Sequence, residues 1–170
     1  MVRPPINFKN WIENNRHLLK PPVGNQTVYD QGDFMIMVVG GPNSRKDYHV
    51  DPVEEFFFQI EGDMLLKVIE NGKRVDITIK EGEIFLLPKN LPHSPQRFSD
   101  TVGLVIEYKR EEGALDFFQW YCDDCDSLLN EVSLDLEDIV AQLPPLFKAY
   151  WEDIESRTCS DCGAIQEPPN

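Results

Sequence analysis

Long apolar runs are missing from this chain. The longest, Phe34–Val39, is far short of the roughly 20 residues a membrane-spanning helix needs. Basic residues are also scarce: 16 Lys and Arg stand against 30 Asp and Glu, a formal charge of −14. That argues against nucleic acid or an anionic membrane as the main partner, since both reward clustered cations. The opening stretch has no apolar core of a signal peptide, so the expectation is a cytoplasmic protein. Repeats and low-complexity tracts are absent too. A hydrophobic content of 41% in 170 residues excludes disorder and suffices for a core without disulfides.

Cysteine is limited to four residues, in two C-x-x-C pairs, Cys122/Cys125 and Cys159/Cys162. Such pairs favour a metal site over a disulfide frame. Four thiolates complete a tetrahedron around zinc or a single iron and leave no open position. The expected role is therefore structural or electron-storing, not hydrolytic.

The apolar spacing of Phe8, Trp11, Ile12, Leu18 and Leu19 predicts a helix over residues 7–20, capped by Asn7 and ended at Lys20-Pro21-Pro22. From Val28 to Tyr108 the pattern becomes short β runs at Thr27–Tyr29, Phe34–Val39, Phe56–Ile60, Met64–Glu70, Arg74–Ile79, Ile84–Leu87 and Val102–Tyr108. Asn71-Gly72 marks a tight hairpin. Many short strands favour a sandwich or barrel. After about residue 113 the spacing turns helical, with Leu136, Ile139, Val140 and Leu143 as one stripe. Pro144-Pro145 is expected to interrupt it, and Leu146, Phe147, Tyr150, Trp151 and Ile154 to continue it. The organisation expected is a β domain over 1–112 with an N-terminal helix, and a helical, metal-pinned extension over 113–170.

Histidine is limited to His17, His49 and His93. His17 sits among polar helix residues and reads as a surface group. His49 and His93 lie in dense turn chemistry. Two histidines and one carboxylate can occupy one face of an octahedral metal, leaving positions open for substrate and dioxygen. Alternate residues of an extended segment share a face, so His49, Asp51 and Glu55 have common parity. Glu55 is the expected carboxylate ligand, with Asp51 as the fallback.

These segments resemble the two motifs of the cupin superfamily. The first, His-x-His, three or four residues, Glu, six residues, Gly, corresponds to His49-x-Asp51, three residues, Glu55, six residues, Gly62. The second, Gly, five residues, Pro-x-Gly, two residues, His, corresponds to Gly82, Pro88-x-Asn90 and His93. Asp51 replaces a histidine, and Asn90 replaces a glycine. The resemblance implies a mainly β fold, a double-stranded β-helix or jelly-roll barrel.

A closer resemblance covers nearly the whole chain. Leu19–Asn25, Val38–Asn43, Asp47–His49, Glu54–Phe57, Leu87–Arg97, Trp120–Cys122 and Cys159–Cys162 look like the 3-hydroxyanthranilate 3,4-dioxygenase family, in its microbial form with a C-terminal rubredoxin-like site. That resemblance implies Fe(II) held by His49, Glu55 and His93, and a second iron (or zinc) on the four cysteines. It implies ring opening of 3-hydroxyanthranilate by O2. The product would be 2-amino-3-carboxymuconate 6-semialdehyde, which cyclises to quinolinate, a precursor of NAD, in the kynurenine pathway of tryptophan breakdown. Arg45 and Arg97 match the family's substrate arginines. Glu107 matches a glutamate that hydrogen-bonds the substrate hydroxyl and can accept its proton. Val39, Leu86 and Pro95 are candidates to line the ring. A homodimer is expected. The competing readings are another cupin metalloenzyme, such as a zinc or manganese isomerase, and a non-catalytic small-molecule-binding cupin.

Overall fold

Asn7 begins the first helix: its Oδ1 accepts from the Asn10 amide at 3.0 Å, satisfying one of the unpaired first-turn donors. In this computed structural model, which describes residues 4–21, 24–29, 31–137 and 139–169, α1 spans Phe8–Asn15. It then tightens into a 3-10 turn over Arg16–Leu18, so the α-helix is shorter than its apolar spacing suggests. Ile12 and Leu19 are buried against Val38 and Val102, which fixes the helix on the β domain. Pro22 of the expected helix end, and the Ile139 and Val140 side chains of the C-terminal stripe, lie outside what is described.

Eleven strands follow among the described residues: β1 Asn25–Tyr29, β2 Phe34–Gly40, β3 Asp47–Val50, β4 Glu55–Glu61, β5 Met64–Glu70, β6 Lys73–Ile79, β7 Ile84–Leu87, β8 His93–Arg97, β9 Val102–Tyr108, β10 Asp116–Tyr121 and β11 Leu128–Leu134. They form two antiparallel sheets. One runs β1-β2-β9-β4-β7, the other β11-β10-β3-β8-β5-β6. Met37, Phe57 and Val105 from the first meet Met64, Leu66 and Val68 from the second in the main core. The β5–β6 hairpin closes from Met64↔Ile79 to Glu70↔Lys73. Its corner, Asn71 at φ 51° and Gly72 at φ 73°, has the two left-handed residues a primed turn requires. Asn90, in the motif position of a glycine, likewise sits at φ 61°.

Every strand expected from the sequence is present. Four further strands are not foreshadowed by it. β3 and β8 are short and polar, because side chains there serve the interior site rather than strand propensity. β10 and β11 correct the helical reading of the stretch after residue 113. β10 pairs with β3 through Phe117↔Val50 to Trp120↔Asp47, and β11 pairs with β10, so residues 116–134 extend the second sheet. The helices come later, as α2 Ile139–Glu152 and α3 Ile154–Arg157.

Pro144 and Pro145 do not interrupt α2 but lie inside it. They forfeit amide donors there. Side-chain packing compensates: Phe118, Trp120 and Tyr150 form a buried cluster joined by Leu143, Leu146, Phe147 and Trp151. Trp120 is fully buried and stacks on Tyr150 at 4.2 Å between ring centroids. Trp120→Ala is therefore expected to destabilise the protein by about 3–5 kcal/mol, read as a lower urea midpoint, with α2 losing amide-exchange protection first.

Candidate active site

The interior face of the barrel is organised by strand parity. On β4 the buried residues are Glu55, Phe57 and Gln59. On β9, which pairs with β4, they face Glu107, Val105 and Gly103 in that order. On β8 the same spacing gives His93, Pro95 and Arg97. Each step of two residues advances about 6.6 Å. One cavity of about 170 Å³ joins the three levels, with acids and imidazoles at one end, Met37, Phe57, Pro95 and Val105 in the middle, and Arg97 toward the other end.

At the first end, His49 pairs with His93 across β3 and β8. Glu55 Oε1 lies 2.8 Å from His93 Nε2 and 4.0 Å from His49 Nδ1. That oxygen is buried, and no hydrogen bond satisfies it, because the close His93 contact misses hydrogen-bond geometry. A buried unsatisfied carboxylate oxygen is costly. One ligand atom from each of His49, Glu55 and His93 lies within 4.8 Å of the others, so one divalent cation would satisfy all three. His93 Nδ1 meets the Leu91 carbonyl at 3.0 Å, which leaves Nε2 for the cation. Burial works against the Glu55 carboxylate, but His93 and His49 hold its pKa below the ordinary value.

Asp51, the fallback ligand, is otherwise engaged. It accepts from the Val53 amide at 3.0 Å and from Arg110 Nη2 at 2.8 Å. Arg110 also donates to Glu107 at 3.0 Å, and to both oxygens of Asp116 at 2.7 Å. Asp116 in turn lies 2.6 Å from His49 Nε2, on the far side of the imidazole from Glu55. Arg110 and Asp116 were not visible as site residues in the sequence. Arg110 sits in the charged run Lys109–Glu112, and Asp116 precedes an aromatic run that does not look like a strand. Phe118, stacked on His49 at 5.0 Å, was missed for the same reason.

Glu107 is 5% exposed. Burial and the Glu55 carboxylate push its carboxyl up to about 8, despite Arg110 beside it. The two arginines differ. Arg45 is bound by both Asp47 oxygens through Nε and Nη2. Arg97 is buried and has no carboxylate partner among the described residues; Gln59 Oε1 accepts from its Nη1 at 3.2 Å. Burial lowers the Arg97 guanidinium to about 10. Val39 and Pro95 line the cavity, whereas Leu86 does not: it is 56% exposed on β7.

The cysteines form a separate cluster. Cys122 and Cys162 Sγ are 3.5 Å apart, as are Cys125 and Cys159 Sγ. The two loops repeat one hydrogen-bond pattern. Cys122 N donates to Ser127 O while its carbonyl accepts from Asp126 N; Cys159 N donates to Ala164 O while its carbonyl accepts from Gly163 N. Asp126 and Gly163, at matching positions, both have positive φ. Hydrogen bonding to Ser127 lowers the Cys125 thiol to about 6, which favours the thiolate a metal needs. All four sulfurs lie within 4.8 Å of one another, as one tetrahedral ion requires.

This double-sheet barrel, with two histidines and a glutamate facing its interior, has the cupin fold. The solved structure of a cupin-2 domain containing protein from Shewanella frigidimarina is similar in fold, with a TM-score of 0.50 at 19% identity, over 61% of this chain and 94% of that one. The chain belongs to the 3-hydroxyanthranilic acid dioxygenase family, whose model matches residues 1–151. It is 55% identical to the 3-hydroxyanthranilate 3,4-dioxygenase of Jannaschia sp., over 96% of this chain and 93% of that protein. It is 53% identical to the enzyme of that name from Shewanella woodyi, over 96% of this chain and 89% of that one.

Neighbouring glutamates give a clean test. Glu55→Ala is expected to abolish divalent-metal retention at the barrel site through gel filtration, while Glu54→Ala, whose side chain is exposed, retains it. Metal analysis of both variants in a Cys-site-intact background decides the assignment. Cys159→Ser should lower metal content by about one ion per chain and loosen the C-terminal segment, since a shared ion ties distant segments together. Oxygen turnover per barrel metal ion should stay within about threefold, because four thiolates would leave an ion among them no open position.

Proposed function

We propose that this protein is an Fe(II)-dependent ring-cleaving dioxygenase that converts 3-hydroxyanthranilate and O2 to 2-amino-3-carboxymuconate 6-semialdehyde, which then cyclises to quinolinate. The observation that carries this reading is one cavity holding both a His49–Glu55–His93 set, whose Glu55 Oε1 is buried without a hydrogen bond, and a buried guanidinium, Arg97, with no carboxylate partner among the described residues. An aromatic acid with adjacent amino and hydroxyl groups complements both.

His49, Glu55 and His93 would hold the iron. Bound there, Fe(II) would supply the redox coupling between the electron-rich ring and dioxygen. The protein's own groups do the remaining work. Arg97 receives the substrate carboxylate through paired N–H donors, which a guanidinium offers in fixed geometry. Arg45 also lines the cavity, but its charge is balanced by Asp47, so in this reading it is the secondary of the two substrate arginines. The net charge of −14 repels an anionic substrate at long range. Screening over about 8–10 Å confines that repulsion, so the local cations decide binding. Phe57, Pro95, Met37 and Val105 hold the ring and exclude water. Glu107, directly across the sheet from Glu55, is placed beside the ring hydroxyl. With a cation bound at Glu55, the carboxylate repulsion that raises Glu107 would be offset, leaving Glu107 ionised to take the hydroxyl's proton. Arg110 holds that carboxylate in place.

The four cysteines hold a second iron or a zinc in this reading, with a structural role. No helix among the described residues is long and apolar enough to cross a membrane. The reading also carries a cytoplasmic homodimer, checked by a sedimentation mass of two chains.

The deciding measurement is oxygen uptake by protein loaded with Fe(II) without air. Uptake should start only on adding 3-hydroxyanthranilate, with one O2 consumed per substrate; no uptake above the buffer rate overturns the proposal. In the same assay Arg97→Ala should retain iron yet bind substrate more weakly by roughly 2–5 kcal/mol, about 30- to several-thousand-fold. Arg97→Lys should restore only part of that loss, because one ammonium cannot make the paired contact.

A further inference from the structure

Arg97 is unusual among the arginines of the interior. Arg110 is bound to three carboxylates and Arg45 to one, yet Arg97, 3% exposed, is held by a neutral amide. Burying a cation without a counter-ion costs several kcal/mol, and such groups are ordinarily paired. The surroundings of Arg97 withhold that partner while fixing the side chain in place.

Three features do this. Asn43 pins the backbone of Arg97 from both sides: its Oδ1 accepts from Arg97 N at 2.6 Å, and its own amide donates to Arg97 O at 3.1 Å. Gln59, 1% exposed, turns its amide nitrogen to the Glu61 carbonyl at 3.2 Å. That bond requires the nitrogen on the Glu61 side, so the oxygen must face Arg97. Gly103, paired with Gln59 across β4 and β9, supplies the room. A Cβ there would stand 2.5 Å from Arg97 Nη1 and 2.9 Å from Gln59 Oε1. Its φ is not positive, so the glycine is required for space rather than for backbone conformation.

We propose that Gln59 and Gly103 are positioning residues that keep Arg97 open as a receptor for an aromatic carboxylate, and so set the preference for carboxylated over uncarboxylated o-aminophenols. The inference rests on the dioxygenase reading for the identity of the ligand. The amide accepts one N–H of the guanidinium and orients the fork without neutralising it. A carboxylate at position 59 would instead form a permanent buried ion pair and compete with the ligand's own carboxylate. A methyl at position 103 would push the guanidinium off Gln59.

The test compares two ligands on iron-loaded protein: 3-hydroxyanthranilate, and 2-aminophenol, which keeps the adjacent hydroxyl and amine but lacks the carboxylate. Dissociation constants are measured without air by calorimetry, and kcat and KM for 3-hydroxyanthranilate by oxygen uptake. Gln59→Glu is expected to shrink the affinity ratio between the two ligands at least tenfold, with the loss of oxygen turnover falling mainly on KM. Gly103→Ala should shift the ratio in the same direction. A merely structural defect would weaken both ligands together and leave the ratio where it was. The proposal is overturned if the ratio stays within threefold of the parent in Gln59→Glu protein that is soluble and iron-replete. Should that variant not fold, Gly103→Ala and Gln59→Met are judged by the same threshold. A parent protein that binds neither ligand and takes up no oxygen overturns the dioxygenase reading itself. A parent that is active but shows no preference between the ligands overturns only the role given to Gln59 and Gly103.

Discussion

Four carboxylates crowd the histidine end of the barrel, and a single guanidinium makes that possible. Asp51, Glu107 and Asp116 all contact Arg110, and Glu55 alone is left without such a partner. Buried like charges repel strongly in a medium of low polarity, so this end could not pack without a central cation. The ion pairs hold Arg110 charged in spite of burial. The arrangement divides the acids by function. In the proposed reading Asp51 and Asp116 are committed to the protein, Glu107 is held by Arg110 for the ligand's hydroxyl, and Glu55 is reserved for a bound cation. Removing Arg110 would strand three acids at once, which is why its contribution cannot be read from any one of its bonds.

The same division governs the rest of the cavity. Interior positions on β4, β8 and β9 fall into levels of polar, apolar and polar character, because alternate residues share a face and the strands are held in register. The architecture therefore matches the shape of a flat aromatic acid more than it matches any one reaction. In the proposed reading the donor set at the first end selects the chemistry, and the cation left open toward the other selects the ligand.

Much of this was legible in the sequence, and the parts that were not share a cause. His49, Glu55 and His93 stand out because two motif spacings bracket them, and the cysteine pairs because few other arrangements explain C-x-x-C twice. Seven strands followed from apolar alternation and turn chemistry. β3 and β8 were hard to see as strands for different reasons: Asp47-Tyr48-His49-Val50 alternates over only four residues, and His93-Ser94-Pro95-Gln96-Arg97 is polar and carries a proline. β10 was hidden by aromatic residues that suit a helix face equally well. Arg110 and Asp116 resemble any solvated charge until the sheet brings them beside His49. Gln59 was within reach, since it shares the parity of Glu55, but a lone glutamine carries no chemical signal of its own.

The pairing of β4 with β9 is regular from Glu55 through Gln59 and becomes irregular only between Gln59 and Glu61. That position has an evolutionary meaning. Gaining or losing one residue inside the regular stretch would turn every later interior side chain to the opposite face. Ligand, ring contact and guanidinium partner would then lose their common alignment in a single event, although a strand would still form. Past Gln59 the bulge has already absorbed a length mismatch, as bulges do. Relatives that differ in chain length here are thus free to do so at the Glu61–Asp63 corner, while the five positions before it admit substitution but not insertion or deletion.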